Sequence, residues 1–72
     1  MQDLLDQLAK TRRQIEKNAS EIVRLQERIK RLQRDGEDPG KARKMLADLH
    51  AVHLQVLATQ AHLQKALAKV EK

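Results

Sequence analysis

Three histidines, His50, His53 and His62, are the side chains of this 72-residue chain that titrate closest to neutral pH. His50 and His53 stand three apart, close enough to approach one another on a helix, and Asp48 lies just before them. Zinc or iron sites in helical bundles usually join such histidines to carboxylates from neighbouring helices, commonly through a Glu-x-x-His pair. That pair is absent. The expected reading is therefore structural histidines at a surface or interface, with no metal or other cofactor. Were His53 buried between two chains, its protonation would weaken their association below about pH 6. Cysteine is missing, which removes disulfides, thiolate catalysis and thiolate metal sites. The lone Ser20 sits in helix-like sequence with no visible base partner, and no glycine-rich phosphate loop occurs. A two-helix chain also lacks a cleft from which to exclude water. The chain is not expected to be an enzyme.

A second group of candidates is cationic. Lys30, Arg31, Arg34, Lys41, Arg43 and Lys44 cluster around the middle of the chain and could contact phosphates. Three acids, Asp35, Glu37 and Asp38, lie among them, and the chain has no aromatic residue to stack on a base. Charge runs of this kind are usually solvated helix faces. The net charge of +5, from 15 Lys and Arg against 10 Asp and Glu, supports solubility without naming a partner. No helix-turn-helix can be read, because no separate recognition helix appears. The three acids also lack the ligand spacing of a calcium loop.

What must position these residues is a pair of long helices joined at Asp35-Gly36-Glu37-Asp38-Pro39-Gly40, where both glycines and the single proline of the chain concentrate. Gly36 suits the left-handed stop of a first helix, and Asp38 with Pro39 suits an N-cap followed by the first helical position. So short a connection predicts antiparallel neighbours. In the first arm Met1, Leu8, Ile15, Ile22 and Ile29 recur every seven residues, with Leu4, Thr11, Asn18, Leu25 and Leu32 at the companion position. A sustained seven-residue repeat predicts left-handed coiled packing. Asn18 in that seam either sets register or marks local hydration. Asp6 with Lys10, Lys17 with Glu21 and Glu27 with Arg31 are helix-supporting pairs worth only about 0.2–0.5 kcal/mol each.

The second arm resumes the repeat with Ala42, Leu49, Val56, Leu63 and Val70, and with Met45, Val52, Thr59 and Ala66 as expected companions. Leu46, His53, Gln60 and Leu67 lie beside that seam, Leu57 widens it, and Leu54 falls nearer the opposite side. Projected at about 100° per residue, the apolar arc covers close to half the circumference, more than one partner helix needs. The sixteen residues Leu49–Gln64 contain no Asp, Glu, Lys or Arg, although 35% of the whole chain is charged. Either neutral side chains such as Gln55 and Gln60 fall together there by accident, or the arm meets a second surface. The second reading predicts an interface drawn from Leu49, Val52, His53, Val56, Leu57, Leu63 and Leu67.

From about Leu25 onward the chain resembles a group of small bacterial proteins with no known activity. The residues that carry the likeness are Leu32, Arg34, Asp35, Gly36 and Asp38, then Ala42, Met45 and Leu46. The resemblance implies a helical hairpin with an Arg-Asp-Gly-x-Asp turn and carries no site across. In architecture alone the chain is similar to the plasmid copy-control hairpins of the Rop type, which dimerise into four-helix bundles and bind RNA. None of their motifs is present, and fold does not imply function.

The expectation is an all-α fold: one two-helix antiparallel coiled-coil hairpin over residues 1–72, with helices at 3–34 and 38–70 and a turn at 35–38, dimerising into a four-helix bundle. Pairing should bury Leu8, Ile15, Ile22, Leu25, Ile29 and Leu32 against Met45, Leu49, Val52, Val56, Leu63 and Val70. The expected function is assembly, as a homodimeric scaffold or small regulatory adaptor, with another helical protein as a further possible partner. Nucleic-acid binding at the basic end is the alternative. No apolar run of about 18 residues exists to span a membrane. Met1-Gln2-Asp3 lacks the start of a secretory leader, and cytoplasmic residence is expected.

Overall fold

The computed structural model of the chain describes residues 2–71. Two helices, α1 (Gln2–Arg34) and α2 (Gly40–Glu71), pack along one another into a rod of 57 × 15 × 14 Å. No strand occurs among the described residues. α1 carries Asp3 in its first turn and Arg31 and Arg34 in its last, charges of the sign that favours each end of the helix dipole.

The connection closes by a paired cap. The Glu37 amide donates to the Leu32 carbonyl at 2.8 Å and the Gly36 amide to the Gln33 carbonyl at 3.2 Å. This is the double hydrogen bond of a Schellman stop, and it satisfies carbonyls that the helix end would leave bare. It requires a left-handed residue, and Gly36 has φ +74°, the only positive φ among the described residues. An L side chain in that conformation costs about 1–2 kcal/mol. Two residues on, the Asp38 carboxylate accepts from the Gly40 amide at 2.9 Å. A Cβ at position 40 would press within 3.2 Å of that oxygen, so glycine leaves room for the cap. The Arg43 amide donates to the Pro39 carbonyl at 2.9 Å, which makes α2 regular from Gly40 rather than from residue 38.

Along α1 the buried or half-buried positions include Leu4, Leu8, Thr11, Ile15, Asn18, Ile22, Leu25, Ile29 and Leu32, the seam the repeat predicts. Met1, which the repeat places at its first position, lies outside the described residues. Along α2 the structure corrects the expected seam. The inward positions are Ala42, Leu46, Leu49, His53, Val56, Gln60, Leu63 and Leu67, with Ala66 half-buried beside them, while Met45 is 55% exposed, Val52 47% and Val70 48%. The two candidate companion rows differ by one residue, a rotation of about 100°. One row offers Met45, Val52, Thr59 and Ala66; the other offers Leu46, His53, Gln60 and Leu67. A helix in seven-residue register must take a row as a unit. Burying the two leucines near its ends draws His53 and Gln60 into the seam and turns Val52 out.

The register follows from the grooves that flank the seam. Leu25 and Leu49 line one groove, Leu32 and Ala42 a second, and Ile29 and Leu46 a third. Seven residues along α1, from Leu25 to Leu32, are thus matched by seven back along α2, from Leu49 to Ala42. Continued towards the open end, the same register sets Leu8 and Thr11 against Leu63 and Leu67. Among the described residues only Leu8, Ala42 and Leu63 are buried apolar residues, with Asn18 buried among the half-buried remainder. One seam between two helices makes a thin core, as expected of so short a chain.

Candidate interaction surface

Most apolar residues of α1 lie on one side of the helix, with Leu5 and Val23 off it, whereas those of α2 spread around its circumference. The reason is the uncharged run Leu49–Gln64, which the hairpin seam covers only in part. Of the seven residues expected at an interface, Leu49, His53, Val56, Leu63 and Leu67 face the hairpin's own seam, half-buried or, for Leu63, buried. Val52 and Leu57 remain exposed. Leu54, which sequence reasoning left out of the interface, is the most open large apolar residue of the described chain at 66% exposure. Its signal was its place in the uncharged run, opposite the seam.

The exposed apolar residues divide between two sides. One groove along the seam is lined by Glu21, Leu25, Met45, Asp48, Leu49 and Val52, and it is edged by charge. The other is lined near the turn by Gln26, Ile29, Lys30, Gln33, Arg43 and Leu46. Stepping back in sevens from Gln26 reaches Ala19, Arg12 and Leu5, and from Lys30 reaches Val23, Glu16 and Ala9; stepping forward from Arg43 reaches His50 and Leu57. Leu5 and Val23 on α1 and Leu57 on α2, all exposed, therefore share this second side, with Leu54 one turn before Leu57.

The histidines do not form a site. His50 and His62 are exposed; His53 is half-buried in the hairpin seam, so the expected weakening of association by its protonation loses its place between chains. The His53 Nδ1 is buried without a hydrogen-bond partner. So is the Asn18 Nδ2, although the Asn18 Oδ1 accepts from the Gln14 Nε2 at 2.9 Å. Asn18 is 2% exposed and thus a buried seam residue rather than a hydrated one. Thr11 is half-buried and donates its hydroxyl to the Gln7 carbonyl at 2.7 Å, satisfied within its own helix. No group of three or more His, Asp or Glu among the described residues is placed to hold a metal ion.

The six cations are all exposed, and they ring the stem instead of forming one face. Lys30 and Arg43 meet in the groove that also holds Gln26 and Gln33. Lys41 lies on another groove with Arg28 and Asp38. Arg31 and Arg34 share the outer side of α1 with Lys30 and Glu27, and Lys44 is exposed on α2 one turn after Lys41. No helix among the described residues is long and apolar enough to cross a membrane. The chain matches no protein-family model, no curated protein and no solved structure, so its surfaces must speak for its function.

Proposed function

We propose that the protein is an assembly module, a helical hairpin whose α2 pairs with a second copy to build a four-helix bundle. The observation that carries this reading is the sixteen-residue uncharged run of α2, which leaves Leu54 and Leu57 open to solvent on one side of the rod and Val52 on the other. Solvated helix faces in a chain this rich in charge normally display charge, and contiguous exposed apolar surface marks an interaction site. The occupant is a second copy because one long side of the rod, 57 by 15 Å, offers roughly the 800 Å² per partner of a standard stable interface. Most soluble oligomers are also symmetric assemblies of one chain.

Sedimentation equilibrium at micromolar concentration tests the reading, with a dimer mass as the expected result. Leu54→Glu should keep its helical content, since position 54 is open in the hairpin, yet sediment as a monomer at least tenfold above the wild-type dissociation constant. A wild-type chain that stays monomeric would sink the proposal, and so would a Leu54→Glu dimer of unchanged affinity.

A second reading, phosphate contacts with a nucleic acid, is favoured by Lys30 and Arg43 lining one groove from two helices beside Gln26 and Gln33. It expects retention of duplex RNA or DNA at low salt, lost in the Lys30→Gln/Arg43→Gln double variant. No retention at low salt removes it.

A further inference from the structure

Resting on the reading of the protein as a homodimer, the geometry points to a particular face and a particular two-fold. We infer that two hairpins meet through the side bearing Leu5, Ala19 and Val23 of α1 and Leu54, Leu57 and Ala61 of α2, with the two-fold axis passing by Ala19.

The choice of side follows from where apolar surface is open on both helices at once. Val23, Leu54 and Leu57 are exposed near the middle of this side and Leu5 towards its open end, among the charges of Arg12, Glu16, Lys30 and Arg43, whereas on the opposite side the exposed Met45 and Val52 both belong to α2 and line a groove with Glu21 and Asp48. A four-helix bundle needs both helices of each hairpin to present such surface. This side does so.

The level of the two-fold follows from the register. Leu25 against Leu49 and Leu32 against Ala42 fix the offset between the helices, and continuing it brings Ala19 level with residues 55 and 56, midway between Leu54 and Leu57. The uncharged run 49–64 is centred close to the same level. An antiparallel axis there is self-complementary. Leu54 of one copy packs on Leu57 of the second, Leu57 on Leu54, and His50 meets Ala61. On α1, Ala19 meets its own counterpart, where a methyl group lets the two helices approach. About an axis at Ala19, Arg12 lies opposite Gln26, Lys30 comes level with Leu8 and Ala9, and Glu16 with Ile22 and Val23, so these α1 charges meet no like charge.

Charge at position 19 tests the axis. Ala19 is exposed in the hairpin, so Ala19→Glu and Ala19→Lys should each leave the helical signal unchanged. Across a two-fold each variant would bury its charge beside an identical one, and each homodimer should bind at least tenfold more weakly than wild type. Mixing the two should restore a heterodimer with affinity near wild type, read by native mass spectrometry and sedimentation. Val52→Glu, on the other side, should dimerise normally. If the wild type dimerises while both position-19 variants do so equally well, or if Val52→Glu is the variant that dissociates, this face and axis are wrong and the dimer itself stands. A wild type that never dimerises removes both readings together.

Discussion

Replacing Leu63 by aspartate is expected to abolish the cooperative helical signal of the chain at 25 °C. Leu63 is 7% exposed, one of two large apolar side chains buried among the described residues, and the register sets it among Leu8 and Thr11 near the open end. Truncating such a leucine to alanine alone costs about 2–5 kcal/mol. Aspartate adds the cost of a carboxylate buried with no cationic partner, several kcal/mol more unless it takes up a proton. A single thin core in a chain of this length rarely supplies more than about 3–5 kcal/mol in total. The loss therefore exceeds the reserve. Far-ultraviolet circular dichroism with a thermal melt reads the outcome. A variant that melts cooperatively within a few degrees of wild type would show that Leu63 does not lie in the seam. Leu54→Glu is the natural comparison, because it places a similar charge on the same helix where water already reaches.

The opposite result is expected for Asn18→Leu, which should raise stability by about 2 kcal/mol. The Asn18 Nδ2 is buried without an acceptor, and such an unsatisfied donor costs about 1–3 kcal/mol. Leucine has the same branching as asparagine and would gain about 1.5–3 kcal/mol from burial, against the loss of one hydrogen bond from Gln14 worth about 0.5–1.5 kcal/mol. On a domain of this size the net gain corresponds to roughly 10 °C in melting temperature. Urea denaturation should show a higher midpoint at an unchanged slope. An unchanged or lower midpoint would mean that Asn18 finds a partner in solution, such as the unpartnered His53 Nδ1 of a neighbouring layer. Retaining asparagine at this cost makes sense if it fixes one register. All-apolar seams with a strict repeat tolerate slippage, and a single polar layer penalises it.

The hairpin's local features were legible in the sequence because each rests on short-range chemistry. Gly36 stops α1 through a backbone conformation that other residues resist, Asp38 caps α2 through an amide two residues away, and the α1 repeat gives one seam with no competing row. The α2 seam was not legible, because two rows of comparable apolar content lie side by side. Met45, Val52, Thr59 and Ala66 hold as much branched and apolar surface as Leu46, His53, Gln60 and Leu67. Counting hydrophobic residues favours the first row at its middle and the second at its ends.

The candidate site divides in the same way. That α2 carries a long uncharged run was plain from composition, as was the gathering of cations near the turn. Which members of the run face inward, and that Lys30 and Arg43 share a groove while Arg31 and Arg34 do not join Arg43, depends on how each helix is rotated about its axis.

By itself, then, the amino-acid sequence determined two helices, the place and chemistry of the turn, and the inward face of α1. Only the tertiary structure decided the rotation of α2. The physical reason is that rotation is settled by all layers of the seam at once. Leu46 and Leu67 prevail near the two ends, and a rigid helix then carries His53 and Gln60 inward and leaves Val52 in water.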